Sequence, residues 1–259
     1  MSGRIDPEPG ARPAATVVIL RDRISAPPEM LVMERSRDMR FAGGALVFPG
    51  GAVDPDDRDQ AAALGSGPMV EELAARIAAI RETLEESGLA IGMARTPDRA
   101  VIGEIRQALA AGERFSRLME QAGLAIDGDA LIPFARWHPK RGEVSKAFDT
   151  RFYITRMDDD EQAASVDATE NVRLFWSGAL EVIAFCDRGE GRIIYPTRRN
   201  LERLAQFASF AELAAHARAT PVETVTPWIE ERADGRFLCI PGHLGYPVTS
   251  EALDSAFRH

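Results

Sequence analysis

Two short apolar, β-branched-rich runs open the ordered part of the pattern, Thr16 to Leu20 and Met30 to Met33, separated by a Pro27-Pro28 break. Runs of that length bounded by breakers predict strands. Ala45 to Phe48 is a third, stopped abruptly by Pro49-Gly50-Gly51, and a polar loop is expected from Ala52 to about Pro68. The strongest helix signal follows. Val70, Leu73, Ile77, Ile80 and Leu84 recur at steps of three and four, lining one helical face, and Gly88 stands where a left-handed C-terminal cap would. Further on, helical patterns at 99–125, 177–186, 198–207 and 210–217 alternate with strand patterns at 131–137, 148–154 and 172–176. A closing pair of strands is expected at 224–229 and 236–240, with Pro227 confining the first to an edge. Mixed elements without repeats or low-complexity linkers favour one α/β domain over residues 1–259, with a flexible tail at 1–13.

Composition adds little to this picture except by exclusion. The 45% apolar and 27% charged residues are ordinary for a chain that buries a core. A net charge of −9 argues against a general nucleic-acid binder, whose footprint would be basic. It leaves room for an anionic small molecule, because a local arginine cluster or bound cations can reverse the field inside one cleft. Cys186 and Cys239 form neither a disulfide framework nor a zinc spacing, and His138, His216, His243 and His259 are scattered. No stretch has the length of a signal peptide or of a membrane span, and Phe257-Arg258-His259 is not the tripeptide address of a peroxisomal protein, so a cytoplasmic location is the expectation.

Chemistry concentrates within the strong helix, at Arg81-Glu82-Thr83-Leu84-Glu85-Glu86-Ser87-Gly88-Leu89. At about 100° per residue, Glu82 and Glu86 lie roughly 160° from Leu84, and Glu85 about 100°. All three carboxylates therefore turn away from the aliphatic stripe. Like charges so spaced destabilise a helix by a few tenths of a kcal/mol per pair. Hard divalent cations are the obvious compensation. A solvated acidic face with Arg81 paired to Glu85 is the plainer alternative, but the helix follows a strand, a Pro-Gly-Gly turn and an acidic loop.

In that setting the segment resembles the Nudix box: Gly, five residues, Glu, seven residues, then Arg-Glu-aliphatic-x-Glu-Glu-x-Gly-aliphatic. The second half matches position by position, with Thr83 in the first aliphatic slot. The first half starts at Gly51 and meets Asp57 where the family has Glu. Between Asp57 and Arg81 stand 23 residues (58 to 80) in place of seven, an insertion of 16. A branch related to the mammalian peroxisomal coenzyme A diphosphatases looks similar and also carries a long insertion here. The resemblance implies a mixed sheet between α-helices with extra C-terminal helices, and Mg²⁺ or Mn²⁺ held by Glu82, Glu85, Glu86 and the Gly50 carbonyl. It also implies that Arg81 orients the glutamates and that a carboxylate from a loop before a late strand joins them; Glu170 is the candidate, with an ordinary loop glutamate as the alternative.

Upstream, Leu31-Val32-Met33-Glu34-Arg35-Ser36 runs on through Arg40 and Gly44 to Phe48-Pro49-Gly50-Gly51. This is similar to the coenzyme A signature that precedes the Nudix box in that branch, with Val32 and Met33 departing from it. Physically, Arg35, Arg37 and Arg40 put three guanidinium groups on a strand end and its loop, suited to bidentate contacts with phosphate oxygens, and Gly43 and Gly44 let the backbone approach a ligand. A merely basic loop is the plainer reading. Phe148 to Phe152 and Pro196 to Leu201 look like segments of the same branch, where Arg151 and Arg199 either touch substrate or form salt bridges. The expectation is therefore a Nudix diphosphatase for coenzyme A or acyl-CoA. Its alternatives are a diphosphatase for ADP-ribose, NADH or a nucleoside triphosphate, a catalytically silent Nudix sensor, and a structural protein with an accidental acidic helix. Oligomeric state stays open, a homodimer included.

Overall fold

The computed structural model describes residues 11–38, 42–67, 69–138, 148–157, 164–165 and 171–256. The first apolar run is the centre of a long strand, β1 (Arg12–Arg23), which turns back into β2 (Ala26–Arg35). β1 begins inside the stretch expected to be a tail: the Pro13 carbonyl accepts from the Val53 N–H, and Arg12 and Pro13 lie in register with Phe148 and Asp149. Next come β3 (Leu46–Val47) and β4 (Gly50–Ala52), either side of Phe48-Pro49.

Where a loop was expected, residues Pro55–Leu64 form helix α1. Its sequence, Pro-Asp-Asp-Arg-Asp-Gln-Ala-Ala-Ala-Leu, has no aliphatic period, because only Asp57 and Ala61 are buried. The signals that start it are local instead. Pro55 sits in the first turn, where its missing N–H costs nothing, and the Asp57 carboxylate accepts from the Asp54 N–H at 2.8 Å.

The remaining elements are α2 (Met69–Ser87), α3 (Arg99–Ala110), α4 (Phe115–Gln121), β5 (Ile132–Trp137), β6 (Phe148–Arg156), β7 (Asn171–Gly178), α5 (Ala179–Asp187), α6 (Tyr195–Leu204), α7 (Phe210–Ala219), β8 (Thr224–Val225), β9 (Trp228–Arg232), β10 (Gly235–Cys239), β11 (Ser250–Ala252) and α8 (Leu253–Ala256). One mixed sheet runs β3-β2-β1-β6-β5-β8, with β4 added on β1 and β7 on β2. β1 and β6 are parallel, and β1 and β2 antiparallel. Pro227 splits the strand expected at 224–229. β8 stays at the edge of the main sheet beside β5, while β9 joins β10 and β11 in a separate antiparallel sheet.

Alternation along β1 explains the architecture. Val17 and Ile19 point to one face, where they pack with Ile77, Ile80 and Leu84 of α2, Ile102 and Ile105 of α3, and Phe115 of α4. Val18 and Leu20 point to the other, among Val182 of α5, Leu201 and Leu204 of α6, and Leu213 of α7. A sheet covered on both faces needs strands apolar at every position, and that is what β1 supplies. Each fully buried aliphatic side chain contributes about 1.5–3 kcal/mol. Among the described residues no helix is long and apolar enough to cross a membrane.

Candidate active site

α2 reaches the site through its second half. Ala74, Ala75, Ala78 and Ala79 are fully buried, and such small side chains let the helix lie close against the sheet. The face opposite Leu84 is not left to solvent; β4 lies over it. The Gly50 N–H donates to Glu86 Oε2 at 2.9 Å. Gly50 has φ of +154°, and a Cβ there would stand 2.3 Å from the Ala15 carbonyl oxygen. A Cβ on Gly51 would stand 2.3 Å from Glu82 Oε1. The glycine pair after Pro49 is thus what allows the strand end to pass directly over two carboxylates.

Arg81 locks this arrangement from beneath. Its Nε and Nη2 donate to the two oxygens of Asp57 at 3.0 and 2.9 Å, Nη2 also to the Ala52 carbonyl at 3.0 Å, and Nη1 to Glu82 Oε1 at 2.8 Å. Glu85 is 3.4 Å from the same Nη1 and half-buried. Asp57 is completely buried. A two-pronged guanidinium–carboxylate contact of this kind sets direction as well as distance. The insertion therefore leaves the acidic residue of the first half-motif in contact with the arginine of the second, and the fully solvated face with a simple Arg81–Glu85 pair is not what forms.

Burial is the largest influence on the two inner carboxylates. It pushes Glu82 up to about 7, with Glu85 adding repulsion and Arg81 opposing, and Glu86 up to about 8, with Glu82 adding and Gly50, Asn171 and Arg35 opposing. Two crowded carboxylates that resist ionisation make a place where added positive charge is favourable. Their oxygen donors suit a hard divalent cation. Among the described residues no three acidic, His or Cys side chains are already drawn together as a metal cluster; Glu82 and Glu86 lie under β4 while Glu85 turns toward Arg81.

Asn171, unnoticed in the sequence, is the residue of the late strand that meets Glu86: its Nδ2 donates to Glu86 Oε1 at 3.2 Å. The neighbouring Glu170 lies outside the described residues, as does Arg40. The segment before β7 is tied to the helix at a second point. The Ser165 N–H donates to the Ser87 carbonyl at 2.9 Å, and Arg106 of α3 donates to the Glu85 carbonyl and to the Ser165 hydroxyl, each at 2.9 Å. An asparagine and an arginine with backbone partners leave no sequence signal of their own.

Of the upstream set, Arg35 ends β2 in register with Asn171, close enough for its charge to act on Glu86. The Gly44 N–H donates to the Arg35 carbonyl at 3.1 Å, and the exposed Arg37 lies over Gly44. The tertiary structure thus brings Arg35, Gly44 and Gly50 to the strand end above the carboxylates. Arg151 is instead paired with Glu72 at 3.2 Å, and Arg199 is buried with Glu202 and Glu251 at 2.8 and 3.1 Å. Both have carboxylate partners, Arg199 inside the protein and not on its surface.

A Nudix hydrolase structure from Alicyclobacillus acidocaldarius is similar to this fold, with a TM-score of 0.65 and 26% identity, covering 79% of this chain and 96% of that one. The mixed sheet between helices, with a carboxylate helix beneath a Pro-Gly-Gly strand end, is the fold of a Nudix hydrolase, and the chain resembles the enzymes of that family, whose members use divalent metal ions. In sequence it also resembles the acyl-coenzyme A diphosphatases. That of Gallus gallus is 28% identical over 276 residues, covering 85% of this chain and 73% of that protein. That of Homo sapiens is 24% identical over 98% of this chain and 86% of its own length. No family model matches the chain.

Proposed function

We propose that the enzyme hydrolyses the diphosphate bond of coenzyme A or its thioesters, releasing adenosine 3′,5′-bisphosphate and 4′-phosphopantetheine or acyl-phosphopantetheine. One observation carries the reading: Glu86, buried, and Glu82, half-buried, lie under Gly50-Gly51 at the strand end that also presents Arg35. The likeness to acyl-coenzyme A diphosphatases directs the choice of substrate.

Glu82, Glu85 and Glu86, with the Gly50 carbonyl, are the residues that would hold Mg²⁺ or Mn²⁺, and Glu170 is proposed to add a further carboxylate. When bound, such ions neutralise diphosphate oxygens and lower the pKa of water. The protein's own groups do the rest. Arg35, Arg37 and Arg40 bind phosphate oxygens, Gly44 lets the protein backbone approach the substrate, and Arg81 holds the glutamates in place. The oxygen of water bonds to one phosphorus as that atom's bond to the bridging oxygen breaks, the bridging oxygen leaves with the other phosphate, and a glutamate takes the proton released.

The test is to incubate the purified protein with coenzyme A and Mg²⁺ or Mn²⁺ and to assay adenosine 3′,5′-bisphosphate by chromatography. Metal-dependent release is expected, reduced at least about a hundredfold in Glu86→Gln. Cleavage of ADP-ribose or NADH but not coenzyme A would overturn the substrate and keep the carboxylate helix. No cleavage of any of them would leave a binding module.

A further inference from the structure

A second cleft opens at the same strand end but on the opposite face of the sheet. It has a volume of about 270 Å³ and lies between β7, α5 and Leu46 of β3. That is small beside the roughly 300–1,000 Å³ of a cleft that takes a whole ligand, so it suits one moiety of a longer molecule. Its walls carry two half-buried aromatic rings, Phe175 and Phe185, and two exposed arginines, Arg173 and Arg188. The Arg173 guanidinium lies 4.7 Å from the centre of Phe175 and 5.8 Å from that of Phe185. Phe185 is seated against the backbone at Gly191, where a Cβ would come within 2.6 Å of its ring. Arg173 pairs with Glu34 at 3.3 Å, and Arg188 with Glu190. Glu181, at the far end, is occupied as the cap of α5, accepting from the Gly178 N–H at 2.9 Å.

The cleft is joined to the carboxylate site through β7. Asn171 at its start touches Glu86 on the α2 side, and Arg173, only two residues on, stands over Phe175 on the α5 side. The pairing with β2 slips between Glu34 and Arg35 at this point, which is how one strand end serves both faces. β7 is thus the element the two sites share, with Asn171 on one face and Arg173 and Phe175 on the other. Half-exposed phenylalanines beside arginines are what a planar base bearing a phosphate needs: faces for stacking and cations for the anion.

We propose that the Phe175–Phe185 cleft is the subsite for the nucleobase end of the substrate, a purine carrying a phosphorylated ribose. The proposal rests on the reading of the reaction given above. The experiment is calorimetric titration of the wild type and of Phe185→Ala, Arg173→Ala and Arg188→Ala with adenosine 3′,5′-bisphosphate, alongside steady-state kinetics on coenzyme A. Loss of one stacking face is expected to weaken binding about tenfold or more. KM for coenzyme A should rise in parallel, with kcat nearly unchanged. The two arginine variants sit at exposed positions and keep the test open should Phe185→Ala fail to fold. If coenzyme A is cleaved and all variants keep the wild-type KM and affinity, the subsite is wrong and the reaction stands. If the wild type binds the bisphosphate, the variants lose it and coenzyme A is not cleaved, the subsite stands and the reaction reading falls. If the wild type neither binds nor cleaves, both fall.

Discussion

Glu86 shows how much a single side chain is asked to bear. It is buried, faces Glu82 and Asn171 from either side, and lies beneath a backbone N–H. Burial raises it to about 8 and Glu82 to about 7, both far above an ordinary glutamate's 4.5. Between those values the folded protein keeps protons that the unfolded chain has released, so stability must fall as pH rises. With metal removed by EDTA, Tm is expected to decline between pH 5 and 8, and Glu86→Gln should flatten that decline. Melting curves of the two proteins at several pH values check it; parallel pH profiles would sink the assignment. The carboxylates themselves were legible from the Arg-Glu-x-x-Glu-Glu spacing. Their burial was not, because it comes from β4, which is distant from them in sequence.

At the scale of elements, α1 and α2 form one unit joined by Arg81 and Asp57. The pair is almost wholly buried; removing Arg81 strands the Asp57 charge, and removing Asp57 takes from Arg81 its two-pronged partner and leaves it the single contacts to Glu82 and Glu85. Asp57→Ala or Arg81→Ala should therefore cost about 3–5 kcal/mol, whereas Asp57→Leu combined with Arg81→Leu should recover part of the loss seen in Arg81→Ala. Activity should not return with stability in the double variant, since Glu82 has lost its 2.8 Å contact with Arg81. Denaturant titration paired with turnover separates the two outcomes. If either single variant is as stable as wild type, the pair is not the anchor. α1 was invisible to periodicity because its buried positions are an aspartate and an alanine. α2 was plain because its aliphatic stripe repeats over four turns.

Across the whole molecule, Arg106 links α3 to the C-terminal end of α2 and to the segment that leads into β7. Its charge-assisted bonds to the Glu85 carbonyl and Ser165 hold those three parts together at the edge of the site. Arg106→Ala is expected to cost about 2 kcal/mol. It should also speed hydrogen exchange around Ser165 and Asn171 more than in β1 or β6, as hydrogen-exchange mass spectrometry would show; uniform protection would contradict the link. What the sequence alone determined was local: strands where apolar runs meet breakers, helices where aliphatic residues recur at three and four, and a glutamate-rich helix after a Pro-Gly-Gly turn. Each of these follows from residues near one another along the chain, whose spacing is visible without a fold. Tertiary structure decided the rest: which face of α2 is covered, that Asp57 meets Arg81 across the insertion, that Asn171 meets Glu86, and that Arg199 is tied to Glu202 and Glu251. Those contacts join residues up to 85 positions apart, as Asn171 and Glu86 are. They depend on how the sheet twists and packs, and no spacing in the sequence encodes that distance.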